Sequence, residues 1–141
     1  RYSGAFIGRY EDKVENQFYW YIRPQETGNK TDVRWLTLLD SGGLGVKITG
    51  LQPISFSALH FSPEDLDPGL TRKLQHTIDI VPQKNIFLHV DLKQRGLGGD
   101  NSWGMYPHNE YRLLDKKYTY SYMIELVEKG SDKNDYLNSR K

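Results

Sequence analysis

The chain has 141 residues, about one domain, with 37% hydrophobic and 13% aromatic residues, enough to bury a core. Lys plus Arg number 19 against 18 for Asp plus Glu, and no basic run of five or more occurs, so neither nucleic acid nor an anionic membrane is an expected partner. Cysteine is absent, which excludes disulfides and thiolate metal sites and leaves the redox compartment undetermined.

The start, RYSGAFIGRYEDK, has neither the apolar core of a signal peptide nor an initiator methionine, and the chain reads as cut from something longer. No apolar run reaches the roughly 18 to 20 residues of a spanning helix. VENQFYWYI (14 to 22) is rich in residues that suit a pleated surface and predicts a strand. RPQETGNKTDVRW (23 to 35) is dense in residues that fix turns, and predicts an elaborate structural loop in which Asp32 and Arg34 form a buried or half-buried polar network. Strands at 33 to 39 and 45 to 51 follow, joined as a hairpin at DSGG, where glycines supply positive φ.

ISFSALHF (54 to 61) predicts a further strand. SPEDLDPGLTRKL then carries the only helix start, with Ser62 as cap, Pro63 in the first turn and Asp65 three residues after the cap; Pro68 and Gly69 keep it short. In IFLHVDL, Ile86, Leu88, Val90 and Leu92 fall on one face and Phe87, His89 and Asp91 on the other, as a half-buried strand requires. A last strand is expected at 118 to 126, and from Glu128 onward almost nothing apolar remains, so 128 to 141 reads as a frayed tail behind a domain of residues 1 to 127. The inventory is all-β, and an antiparallel β-sandwich is the natural architecture.

The chemistry-bearing residues are scattered. Glu11, Asp12 and Glu15 lie in a charged connection, Glu64, Asp65 and Asp67 in the short helix, and Asp32 and Asp40 at strand ends, settings that suit solvated surface or capping better than a pair of catalytic carboxylates. His60, His76, His89 and His108 show no metal-ligand spacing, and no serine sits in a nucleophile turn. GLGG (96 to 99) lacks the spacing of a phosphate loop. GLGGDNSWG (96 to 104), in contrast, places Trp103 in the most flexible stretch of the chain. Core packing is the ordinary fate of a tryptophan. Here, however, the glycines permit close approach of a ligand, and Asp100 and Asn101 add hydrogen-bonding groups beside a flat apolar face, a combination that suits a sugar ring.

Three stretches, VENQFYWYIRPQETGNKTDVRWLTLLD, SFSALHFSPEDLD and HVDLKQRGLGGDNSWG, together resemble the C-terminal domain of family 2 glycoside hydrolase β-galactosidases, over about residues 6 to 126. The resemblance implies a partial domain, the second half of a galactose-mutarotase-like supersandwich, with the catalytic (β/α)8 barrel outside this chain. It implies that Trp103 reaches the barrel's active site and stacks on the sugar, with Gly98, Gly99, Asp100 and Ser102 shaping the loop, and that the Asp and Arg of TDVRW are structural.

No position matches the family's catalytic glutamates or its magnesium and sodium ligands. The resemblance therefore implies no catalytic residue, metal or cofactor in this chain, and magnesium and sodium for the parent enzyme. The implied function is the non-catalytic part of a retaining β-galactosidase acting on terminal β-D-galactosides. The isolated chain is expected to be inactive, and the implied partners are a galactoside substrate, the catalytic barrel and further copies in a homo-oligomer. For a bacterial-type enzyme the compartment, cytoplasmic or periplasmic, stays open. The rival readings are a free-standing carbohydrate-binding module, a purely structural or oligomerisation domain and, more remotely, a mutarotase-type epimerase.

Overall fold

The hairpin written into the sequence organises the sheet. In the computed structural model, which describes residues 6–20, 27–67, 69–70, 76–96, 99–101 and 104–128, strand β1 (Lys30–Leu39) runs antiparallel to β2 (Leu44–Leu59). The turn between them is fixed by Asp40, whose carboxylate accepts from the Leu44 N–H at 2.9 Å and whose own N–H donates to the Leu44 carbonyl at 2.8 Å. Gly43 supplies the positive φ, 87°, that the reversal requires.

The expected strands at 45 to 51 and 54 to 61 are one continuous strand, β2, with Pro53 inside it. A proline has no N–H to give a ladder, so it belongs at an irregularity. The pairing register jumps there, from Trp35 opposite Thr49 to Val33 opposite Ile54. The bulged backbone is tied instead to Ser121: the Leu51 N–H donates to the Ser121 carbonyl at 3.0 Å, the Gln52 side-chain amide donates to the same oxygen at 3.2 Å, and its carbonyl accepts from the Ser121 N–H at 3.3 Å. Strand β3 (Phe87–Asp91) lies beside β2, as does β4 (Tyr122–Glu128), antiparallel and paired from Leu44 opposite Glu128 to Gly50 opposite Tyr122. The domain is all-β, with four strands in one sheet and a single turn of α-helix among the described residues.

Several expectations are corrected. Residues 14 to 22 do not open as a strand: Val14–Gln17 is a 3-10 turn, because the Asp12 carboxylate accepts from the Lys13 N–H at 2.8 Å, the Asn16 amide at 2.7 Å and the Gln17 amide at 2.9 Å, local bonds that compete with a ladder. Asp32 and Arg34 are exposed and form no buried network; Asp32 has a φ of 58° where the β1 register slips between Lys30 and Val33. The last strand starts at Tyr122 and not at 118, because residues before it are held elsewhere: the Tyr118 hydroxyl accepts from the Asp115 N–H at 2.8 Å, and the Tyr120 hydroxyl donates to the Val90 carbonyl at 3.0 Å. Of the expected tail, 128 to 141, Glu128 is the last residue of β4 and the rest lies outside the described residues, as do the loop residues 23 to 26.

The chain divides into two compact units, each built from two separate stretches: residues 1–29 with 57–89, and residues 30–56 with 90–141. In the first, Phe61, Leu66 and Ile80 form a buried cluster against which Phe18 packs, its ring 4.4 Å from that of Phe61. Helix α1 (Pro63–Leu66) delivers Leu66 to it through the expected cap: the Asp65 N–H donates to the Ser62 hydroxyl at 3.2 Å and the Ser62 N–H to the Asp65 carboxylate at 2.7 Å. In the second, Leu36, Ile48 and Ile54 are buried. Pairing places Leu36, Ile48 and Ile124, and likewise Leu38, Val46 and Leu126, side by side on one sheet face. That face is closed at Leu36 and Ile48 and open at β4, where Ile124 is 60% and Leu126 90% exposed.

Candidate functional site

The loop after β3 is built on backbone proximity that only glycine permits. A side chain on Gly99 would place its Cβ 2.5 Å from the Met105 carbonyl oxygen and 2.7 Å from that of Tyr106; one on Gly96 would lie 2.8 Å from the Cβ of Tyr111. These are distances a Cβ does not adopt, so the backbone strands entering and leaving the loop touch directly. A hydrogen bond from the Gly96 N–H to the Tyr111 carbonyl, 2.7 Å, closes the outer end of this neck.

Within the neck, His108 Nε2 donates to Asp100 Oδ1 at 2.7 Å, with both side chains exposed. The hydrogen bond to Asp100, and then the Asp100 charge, hold the His108 imidazole above its ordinary value; desolvation opposes this, and the Glu110 charge adds to it. Beyond His108 the chain makes a 3-10 turn (Asn109–Tyr111), where the Arg112 guanidinium donates to Asn109 Oδ1 at 3.1 Å and lies 4.9 Å from the centre of the Tyr106 ring. A hydrogen bond to Glu110 and then the Glu110 charge push the Tyr111 phenol up, as does desolvation.

Of the residues singled out from the sequence, Gly99 and Asp100 take part in this neck; Gly98, Ser102 and Trp103 lie outside the described residues. His108 is the residue that sequence reading passed over. It is eight positions from Asp100, too far along a helix or a strand for the two side chains to meet, and the signal that could have found it is Gly99, whose backbone lies against the Met105 and Tyr106 carbonyls. Of the other histidines, His60 Nδ1 is 2.9 Å from the Gln83 carbonyl, and His76 Nδ1 is 3.4 Å from Asp79. Among the described residues there is no group of three or more His, Asp or Glu side chains that could hold a metal ion. Among them, too, no helix is long and apolar enough to cross a membrane.

Residues 1–124 match the family model described as the β-galactosidase small chain. Over 126 residues the chain is 35% identical to a β-galactosidase of Priestia megaterium, covering 89% of this chain and 12% of that protein. Over 124 residues it is 36% identical to one of Streptococcus thermophilus, covering 86% and 12%. A β-galactosidase of Lactobacillus delbrueckii subsp. bulgaricus is 34% identical over 118 residues, with 83% and 11% covered. The chain thus spans about one eighth of the length of the relatives it matches. The narrower expectation of a second half of a C-terminal domain is not what these matches carry, since the small-chain model is met from residue 1. An all-β chain with this glycine-necked loop, matched over most of its length by one family model, belongs to the β-galactosidase small-chain family.

Proposed function

We propose that this chain is a non-catalytic part of a retaining β-galactosidase and that it presents the Trp103 loop to the substrate site, where the indole stacks on the apolar face of a terminal β-D-galactoside. Retaining hydrolysis needs two carboxyl groups about 5 to 5.5 Å apart, and in this reading they belong to the part of the assembled enzyme that this chain lacks. The single observation that supports the reading is the neck: Gly99 lies so close to the Met105 and Tyr106 carbonyls that no side chain fits there, and Trp103 stands between them in sequence. A loop built only to connect two strands has no need of such closure.

The test is steady-state kinetics of the assembled enzyme on nitrophenyl β-galactoside. Loss of one stacked aromatic face, on the order of 1 to 3 kcal/mol, raises KM for Trp103→Ala about tenfold or more while the protein stays folded. An unchanged KM would reduce the loop to scaffold. The chain by itself is expected to show no turnover of the same substrate, and turnover at the rate of a whole enzyme would place the chemistry here after all. A purely structural role is the second reading, favoured by the exposed Ile124 and Leu126 on β4, and unchanged kinetics of Trp103→Ala would select it.

A further inference from the structure

We propose that β4 is an interior strand of the assembled β-galactosidase: a strand from the part of the enzyme that this chain lacks pairs along its outer edge and covers the apolar row of Tyr122, Ile124 and Leu126. The proposal rests on the reading of this chain as a piece of a larger β-galactosidase and is independent of the Trp103 loop.

Two strands of the same sheet are built differently. β1 stands at one end of the strand order and carries the marks of an edge that faces water. Its first half holds Lys30, Asp32 and Arg34, with Asp32 and Arg34 exposed, and its register against β2 slips twice, between Lys30 and Val33 and between Val33 and Trp35. Charges and bulges of this kind keep an edge from accepting another strand.

β4 has no such protection. Among the described residues it pairs with β2 alone, in a register that runs from Leu44 opposite Glu128 to Gly50 opposite Tyr122 without a slip. From Tyr122 to Val127 its sequence, YMIELV, contains no proline and a single charge, Glu125. Alternation puts Tyr122, Ile124 and Leu126 on one face and Met123, Glu125 and Val127 on the other, so both faces are largely apolar. A near-continuous apolar run belongs to a strand enclosed on both faces, not to one that ends a sheet in water. In this chain by itself Tyr122, Met123, Ile124 and Leu126 are all exposed.

An extended backbone is what fits such an edge, because the outward N–H and C=O groups from Met123 to Val127 form one side of a ladder. Opposite Tyr122, Ile124 and Leu126 the incoming strand is apolar, and opposite Glu125 it is not acidic. A second copy of β4 is the poorer occupant. The one register in which Tyr122–Glu128 of two copies pair throughout turns about Glu125 and sets its carboxylate opposite itself, and like charges directly opposite are destabilising. The rest of the enzyme is the better source, since the chain covers 12% of the relatives it matches and most of their length lies outside the match.

The experiment is residue-resolved hydrogen exchange on the assembled enzyme, joined to photo-crosslinking from β4. In an edge strand every second amide points away from the sheet and exchanges quickly, whereas in an interior strand all are held. The amides of residues 123 to 127 are expected to be slowed about a hundredfold or more relative to an unstructured peptide, without alternation. With p-benzoylphenylalanine in place of Leu126 or, in a second variant, of Glu125 on the opposite face, irradiation is expected to join β4 to a peptide from outside residues 1–141. Alternating fast amides in β4, a cross-link confined to residues 1–141 of the same or another copy, or no cross-link from either position would each overturn the proposal. Turnover of nitrophenyl β-galactoside by the same preparation, with Trp103→Ala beside it, keeps the two readings apart. Unprotected β4 in an active assembly sinks the strand addition alone. An unchanged KM for Trp103→Ala with a protected, cross-linked β4 removes the loop and leaves the strand in place, and a chain that does not assemble with the rest of a β-galactosidase ends both.

Discussion

Ile54 shows how much one residue carries in a sheet with an open face. It is fully buried, in the part of β2 just after the bulge, where its register partner is Val33. Truncation to alanine removes three carbons and leaves a cavity that the paired backbone cannot close. Ile54→Ala is expected to cost about 2 to 5 kcal/mol, measured by denaturant unfolding of the isolated chain beside wild type; a change within error would mean the site collapses around the loss. At this scale the sequence is informative where one residue type has one physical use. Asp40 and Gly43 could be assigned to a turn, and Ser62 to a cap, from identity alone. Asp32 could not, since a bulge in β1 turns it outward with positive φ, and nothing in TDVRW announces the slip. The Asp100 to His108 bond was illegible for a related reason, as it depends on a chain reversal whose geometry glycine permits without specifying.

Among the elements, α1 is the most fully determined by local chemistry. Its single turn would not persist alone, because nucleating a helix is unfavourable and four residues form too few bonds to repay it. Ser62, Asp65 and the Gln83 amide, which donates to Asp65 at 2.6 Å, hold it in place over the Phe61 cluster. Burial works to raise the Asp65 carboxyl, but the Ser62 N–H, Gln83 and the Ser62 hydroxyl outweigh it and hold the group below its ordinary value. A lowered carboxylate stabilises the folded state above its unfolded pKa, and that contribution disappears as pH falls through the folded value. Ser62→Ala should therefore lower stability by about 1 kcal/mol near neutral pH, and the difference from wild type should narrow in acid. A gap independent of pH would mean the hydroxyl acts without the carboxylate. The strands were legible in proportion to their alternation: β3 and the β1–β2 hairpin follow it closely. The 3-10 turn at Val14–Gln17 escaped because aromatic and β-branched content was read without weighing Asp12, and the continuity of β2 escaped because proline ordinarily ends a strand.

At the scale of the whole molecule, the open face of β4 is the dominant liability. Tyr122, Ile124 and Leu126 present an apolar row at a sheet edge, and an edge with free ladder groups invites another strand. The isolated chain should self-associate, seen as a mass above the monomer that grows with concentration in light scattering, and Leu126→Lys should suppress it; a strictly monomeric wild type at high concentration would show that the face is tolerated in water. Sequence alone indicated the all-β class and the hairpin at its centre, but not the division into two units, because each unit joins stretches far apart in the chain. That division has a consequence for synthesis. The β1–β2 hairpin is complete by residue 59, whereas β4, which pairs with the near half of β2, begins at residue 122. At ribosomal rates the interval is several seconds, roughly 3 to 12, during which a finished hairpin waits with its second ladder empty. A nascent chain of this design is most vulnerable while residues 60 to 121 are being added, when a pause would expose the β2 edge for longest.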